Sequence, residues 1–107
     1  MELYGIRSCD TVKKALKALD AAGRDVAFRD VRVTPLSAAE IDAFLAAFGE
    51  KLVNRSSTTW RGLSEAERAR PAADLLAEHP TLMKRPVIRD GAKMTLGWGA
   101  AEQASWL

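Results

Sequence analysis

The one cysteine of this chain, Cys9, lies in the run Tyr4-Gly5-Ile6-Arg7-Ser8-Cys9-Asp10-Thr11-Val12-Lys13-Lys14-Ala15-Leu16, where a strand gives way to a helix. Met1 to Tyr4 reads as a short strand that Gly5 breaks, and Val12, Ala15, Leu16 and Leu19 then recur at helical spacing. A thiol at a helix start meets unpaired N–H donors and the positive end of the helix dipole, and both favour the thiolate. Arg7 and Lys13 add positive charge nearby, and Asp10 works against them. Two readings stand for such a residue: a nucleophile, or a small buried hydrophobe. The polar neighbours Arg7, Ser8, Asp10 and Thr11 argue against an apolar site.

A second stretch, Asn54-Arg55-Ser56-Ser57-Thr58-Thr59-Trp60-Arg61, combines hydroxyl side chains, two arginines and a tryptophan within a polar loop running from Glu50 to Gly62. Loops of this make-up carry function as readily as they merely connect elements.

The elements that position these residues follow from the chain in order. The Cys9 helix is expected to run to about Ala22 and stop at Gly23, with a second strand over Asp25 to Val33. Strand, helix and strand make a βαβ unit with parallel strands, so Cys9 falls at the carboxyl end of the first strand, where open α/β sheets place their sites. Pro35 ends the second strand, and Ser37-Ala38-Ala39-Glu40 is a capping box opening a helix that closes at Gly49. Ser64-Glu65-Ala66-Glu67 is another capping box, and Pro71 reads as the first residue of a helix ending near His79-Pro80. His79 is expected at a helix end. Asp90-Gly91 sits between two apolar runs in a hairpin signature, giving strands three and four, and Ala100 to Trp106 closes the chain as a helix packed on the sheet.

Length and composition bound the rest. A chain of 107 residues, 48% hydrophobic and 28% charged, is one domain's worth and builds a core without staples. A net charge of +2 without a contiguous Lys/Arg tract gives no ground for a nucleic-acid partner. One cysteine excludes an internal disulfide, so a second thiol must come from outside, and a single histidine excludes the usual zinc cluster. The longest apolar run, Ala43 to Phe48, is too short to span a bilayer, and the N-terminus lacks the regions of a signal peptide. A cytoplasmic monomer without a membrane partner or bound metal is expected.

With these pieces in place, the opening LYGIRSCDTVKKA, the loop NRSSTTWRGL, the segment MKRPVI and the following LGW together resemble the ArsC/Spx family of thioredoxin-like proteins, most closely its YffB-type branch. The resemblance covers essentially the whole length. It implies an α/β thioredoxin-like fold over residues 1–107, with a four-stranded mixed sheet and a helical insert over about residues 37–80. It also implies that Cys9 is the nucleophile, that Arg55 and Arg85 form an anion clamp converging on it, and that Pro86 is the fold's cis-proline. Thr11 and the helix N–H groups then support the thiolate, with Arg7 and Lys84 as further binding candidates. Departures from the family pattern narrow the function. Arsenate-reducing members carry a histidine where Gly5 stands and a third arginine near Leu96-Gly97-Trp98, and Spx-type regulators carry a second cysteine where Val12 stands. YffB-type members look like single-cysteine, glutathione-dependent thiol reductases, so the resemblance implies a glutathione-dependent thiol oxidoreductase with no permanently bound cofactor, glutathione as co-substrate and glutaredoxin as a further candidate partner. An oxyanion (arsenate) reductase and a Spx-like adaptor binding RNA polymerase are the alternatives.

Overall fold

A computed structural model describes residues 1–107. The chain forms two compact units: Met1–Val31 with Arg85–Leu107, and Arg32–Lys84.

The first unit is a four-stranded sheet with two helices. Its strands are β1 (Glu2–Gly5), β2 (Ala27–Asp30), β3 (Val87–Asp90) and β4 (Lys93–Leu96), in the order β2-β1-β3-β4. β1 runs parallel to β2 and antiparallel to β3, and β3 and β4 form an antiparallel hairpin. This is the mixed sheet expected, with β1 and β3 as its inner strands. Alternation puts Phe28, Leu3, Ile88 and Thr95 in one register row across all four strands. Against this face pack Val12, Ala15 and Leu19 of helix α1 (Asp10–Ala21) and Trp106 of helix α6 (Ala100–Trp106). The spacing of those α1 residues is one helical stripe, so a single face is apolar and the lysines point outward. α1 ends where Gly23 takes a φ of 76°, and the N–H of Arg24 reaches back to the Leu19 carbonyl at 3.0 Å. The opposite sheet face is polar and paired: Tyr4 donates to Glu2 at 2.6 Å, and Arg89 donates to the Tyr4 hydroxyl at 3.0 Å.

The second unit is helical. Its elements are α2 (Ala38–Phe48), α3 (Thr58–Arg61), α4 (Glu65–Arg68) and α5 (Ala72–Glu78), with 3₁₀ turns at Gly49–Leu52 and Pro80–Leu82. Ile41 and Phe44 of α2 and Leu75 and Leu76 of α5 are buried. Both expected capping boxes form, with Ser37 and Ser64 each accepting from the backbone of the glutamate three residues on.

Three expectations about the elements need correction. β2 covers only Ala27–Asp30, not Asp25 to Val33, because β1 offers just four partners; Val31 donates to the Gly5 carbonyl at 2.9 Å and the chain then turns away, leaving Val33 80% exposed. The polar loop holds a helical turn, α3, because Ser57 caps it by accepting from the Trp60 N–H at 3.1 Å. Pro71 is the residue before α5 and not its first, with extended backbone at ψ 138°. The hairpin, the closing helix over Ala100–Trp106 and His79 at a helix end stand as expected.

Trp106 ties the first unit together. Its ring is 4% exposed and its Nε1–H donates to Thr95 Oγ1 at 2.7 Å. The Arg24 Nε–H donates to its carbonyl at 3.0 Å, and the Lys93 ammonium lies 4.2 Å from the ring centroid. Trp106→Ala is therefore expected to cost about 3–5 kcal/mol in equilibrium urea unfolding, the usual loss for a large aromatic removed from a core.

Candidate active site

The turn between β1 and α1 builds the site. The Cys9 N–H donates to the Ile6 carbonyl at 3.1 Å, and the Cys9 carbonyl accepts the first helical bond from Lys13 at 3.0 Å. Cys9 is thus the N-cap residue of α1, with extended backbone at φ −77° and ψ 122°. A cap side chain normally presents an oxygen to the N–H groups two and three residues on; here that place belongs to sulfur. No cap hydrogen bond of ordinary length is drawn by the Sγ atom, as suits a soft acceptor, yet the Val12 and Thr11 N–H groups face it closely enough to act on its charge.

Partial burial pushes the Cys9 thiol up, and this is the largest single influence on it. It is outweighed by the Val12 N–H, by a hydrogen bond and the positive charge of the Arg85 guanidinium, and by the Thr11 N–H. The net result is a thiol more acidic than usual. Arg85 reaches the site because the chain enters β3 beside β1, through a cis Arg85–Pro86 peptide, as the resemblance implied. Pro86 is buried, and its carbonyl accepts from the Gly97 N–H at 2.8 Å, holding this entry against the end of β4.

Of the residues singled out from the sequence, Cys9, Thr11 and Arg85 come together in the first unit. Arg7 does not act on the sulfur in this way: its guanidinium lies 5.5 Å from the Phe28 ring centroid, and its N–H donates to Asp30 at 3.0 Å. Arg55 and Lys84 belong to the second unit. There the Arg55 guanidinium stacks 5.6 Å from the Trp60 ring centroid, and Arg68 stacks on the same ring at 5.4 Å. These side chains, with Val53, Arg70 and Leu75, line a cavity of about 190 Å³. Lys84 is exposed, and its backbone N–H donates to the Leu52 carbonyl at 2.7 Å. Arg68 was not singled out from the sequence. Its signal was the capping box at Ser64, which sets α4 so that the Arg68 Nε–H reaches the Trp60 carbonyl at 3.1 Å.

This geometry makes two expectations for the thiol. The rate of Cys9 alkylation by iodoacetamide should rise with pH through a midpoint below the ordinary cysteine value of about 8.5, and Arg85→Ala should move that midpoint up while Arg7→Ala leaves it in place. Because the folded thiol ionises first, the unfolded chain binds more protons at intermediate pH, so stability relative to Cys9→Ala should rise with pH there. That contribution is complete above the unfolded pKa and is lost as pH falls through the folded one, as paired denaturation curves would record.

No helix is long and apolar enough to cross a membrane. Comparison with known proteins places the chain. The family model described as the ArsC family matches residues 4–105. An uncharacterized protein of Haemophilus influenzae is 41% identical over 105 residues, covering 94% of this chain and 92% of that one. The solved structure of a YffB protein superposes with a TM-score of 0.92 at 32% identity, covering 99% of this chain and 97% of that one. An arsenate reductase (ArsC) related protein from Brucella melitensis superposes with a TM-score of 0.76 at 35% identity, covering 98% and 92%. With Cys9 capping α1 and a cis-proline at the neighbouring strand entry, the match runs from the first strand to the last helix, and the chain belongs to the ArsC family.

Proposed function

We propose that this protein is a thiol oxidoreductase that works through Cys9 with glutathione as the external thiol. The observation that carries the reading is the Cys9 sulfur in the N-cap position of α1, met by the Thr11 and Val12 N–H groups and by the Arg85 guanidinium. Those groups lower the energy of the thiolate, the form that attacks sulfur. In the cycle, the Cys9 thiolate attacks one sulfur of a glutathione mixed disulfide; the substrate's S–S bond breaks, its thiolate leaves, and Cys9 becomes disulfide-bonded to glutathione. A second glutathione thiolate then attacks the glutathione sulfur of that bond, releasing glutathione disulfide and the Cys9 thiolate. In net, one free glutathione is consumed, the substrate leaves as a thiol with glutathione disulfide as the second product, and no second cysteine of this chain takes part.

Arg85 serves as anion contact at the reacting sulfur. Gly5 bears on the oxyanion alternative. A Cβ placed there would lie 2.6 Å from a Val12 methyl, so a histidine of the kind arsenate-reducing members carry there would have to displace Val12. A thiol substrate is favoured for that reason.

The test is turnover of an S-glutathionylated peptide with glutathione, read by coupled reduction of the glutathione disulfide formed. Cys9→Ser should abolish turnover and the glutathione adduct seen by intact mass. Arg85→Ala should lower turnover by about ten-fold or more, as expected for losing a hydrogen bond to a charged group. Arg61→Ala should stay within about two-fold, because its guanidinium is engaged with the Ser56 carbonyl at 2.7 Å. Equal losses from both arginine variants would show that general positive charge, not a built site, supports the activity.

A further inference from the structure

Gly5 is not required by its backbone, since its φ is not among the positive ones. Space requires it. Gly5 is the last residue of β1, paired with Asp30 on the sheet face that carries Leu3 and faces α1. A Cβ at this position would stand 2.6 Å and 3.2 Å from the two methyls of Val12 and 3.5 Å from its Cβ. Val12 cannot give way easily: it is fully buried, and a β-branched side chain in a helix has one strongly preferred rotamer. The close approach of β1 to the first turn of α1 is therefore set by a glycine on one side and a valine on the other. Val12 is also the third residue of that helix, whose N–H faces the Cys9 sulfur.

Resting on the thiolate reading above, we propose that Gly5 and Val12 form a positioning pair: the contact between the bare Cα of Gly5 and the Val12 methyls seats the first turn of α1 so that its N–H groups stay near the Cys9 sulfur. A methyl at position 5 forces Val12 back by roughly 1 Å to regain ordinary carbon–carbon contact of about 3.5–4.0 Å. The Val12 N–H travels with its side chain and leaves the sulfur. Trimming Val12 to alanine removes the two close methyls and leaves only the 3.5 Å Cβ contact, which is ordinary packing. The charged side chain acting on the same sulfur, Arg85, comes from the chain just before β3 and touches neither substitution's packing contact.

The experiment measures the pH midpoint of Cys9 alkylation in wild type, Gly5→Ala and Gly5→Ala/Val12→Ala. Gly5→Ala is expected to raise the midpoint by about half a unit or more, a three-fold loss of thiolate below it, and the double variant to return it to the wild-type value. A folded Gly5→Ala with an unmoved midpoint overturns the proposal, even if its thermal stability falls, because a merely structural role would stop there. If Gly5→Ala does not fold, the double variant decides: folding with the wild-type midpoint supports the pair, and failure to fold or a raised midpoint overturns it. A wild-type midpoint at the free-cysteine value would instead remove the thiolate reading itself, so the two failures are told apart.

Discussion

The structure turns on the exchange of an oxygen for a sulfur at one helix cap. Every helix start leaves N–H groups unsatisfied, and in α2, α3 and α4 serine oxygens accept from them. At α1 the cap residue is Cys9, a poor neutral acceptor whose ionised form is a good one. The stabilisation that serine supplies at the other helices is available at α1 mainly when the thiol has lost its proton. Local helix chemistry and thiol acidity are thereby one quantity, and the rest of the first unit keeps the cap in place.

Three features of the fold serve that cap. Phe28, Leu3 and Ile88 give α1 an apolar seat on the sheet, and Trp106 packs in the same cluster. The bare backbone at Gly5 lets the first turn of α1 approach the end of β1. Arg85 stands just before β3, the strand paired with β1, and its guanidinium acts on the sulfur. Burial alone would favour the neutral thiol, so these backbone and side-chain donors decide the sign of the shift.

The parts legible in the sequence were those with a local physical cause. Ser37 and Ser64 announce their helices because a capping box is complete within four residues, and Asp90-Gly91 announces the hairpin because the left-handed backbone at Gly91 is a local requirement. What the sequence concealed depends on partners far along the chain. The apolar alternation through Val33 suggests a longer β2, but strand length is set by β1, which ends at Gly5. Arg7 stands closest to Cys9 in sequence among the arginines, yet Phe28 on the neighbouring strand takes its guanidinium, and Arg85, remote in sequence, meets the sulfur. Gly5 reads as a strand breaker and turns out to be the last strand residue, chosen for the space that Val12 fills. Family resemblance, more than pattern, pointed to Arg85 and to the cis-proline.

The account stands on the Cys9 thiol ionising more readily in the folded protein than a free cysteine does. The most direct measurement is the ultraviolet absorbance of the thiolate as a function of pH, taken as the difference between wild type and Cys9→Ser, which reports ionisation without any reagent or substrate. The account predicts a single transition below the value of about 8.5 for free cysteine, moving to that value on unfolding in urea. A transition at or above that value in the folded protein would contradict it.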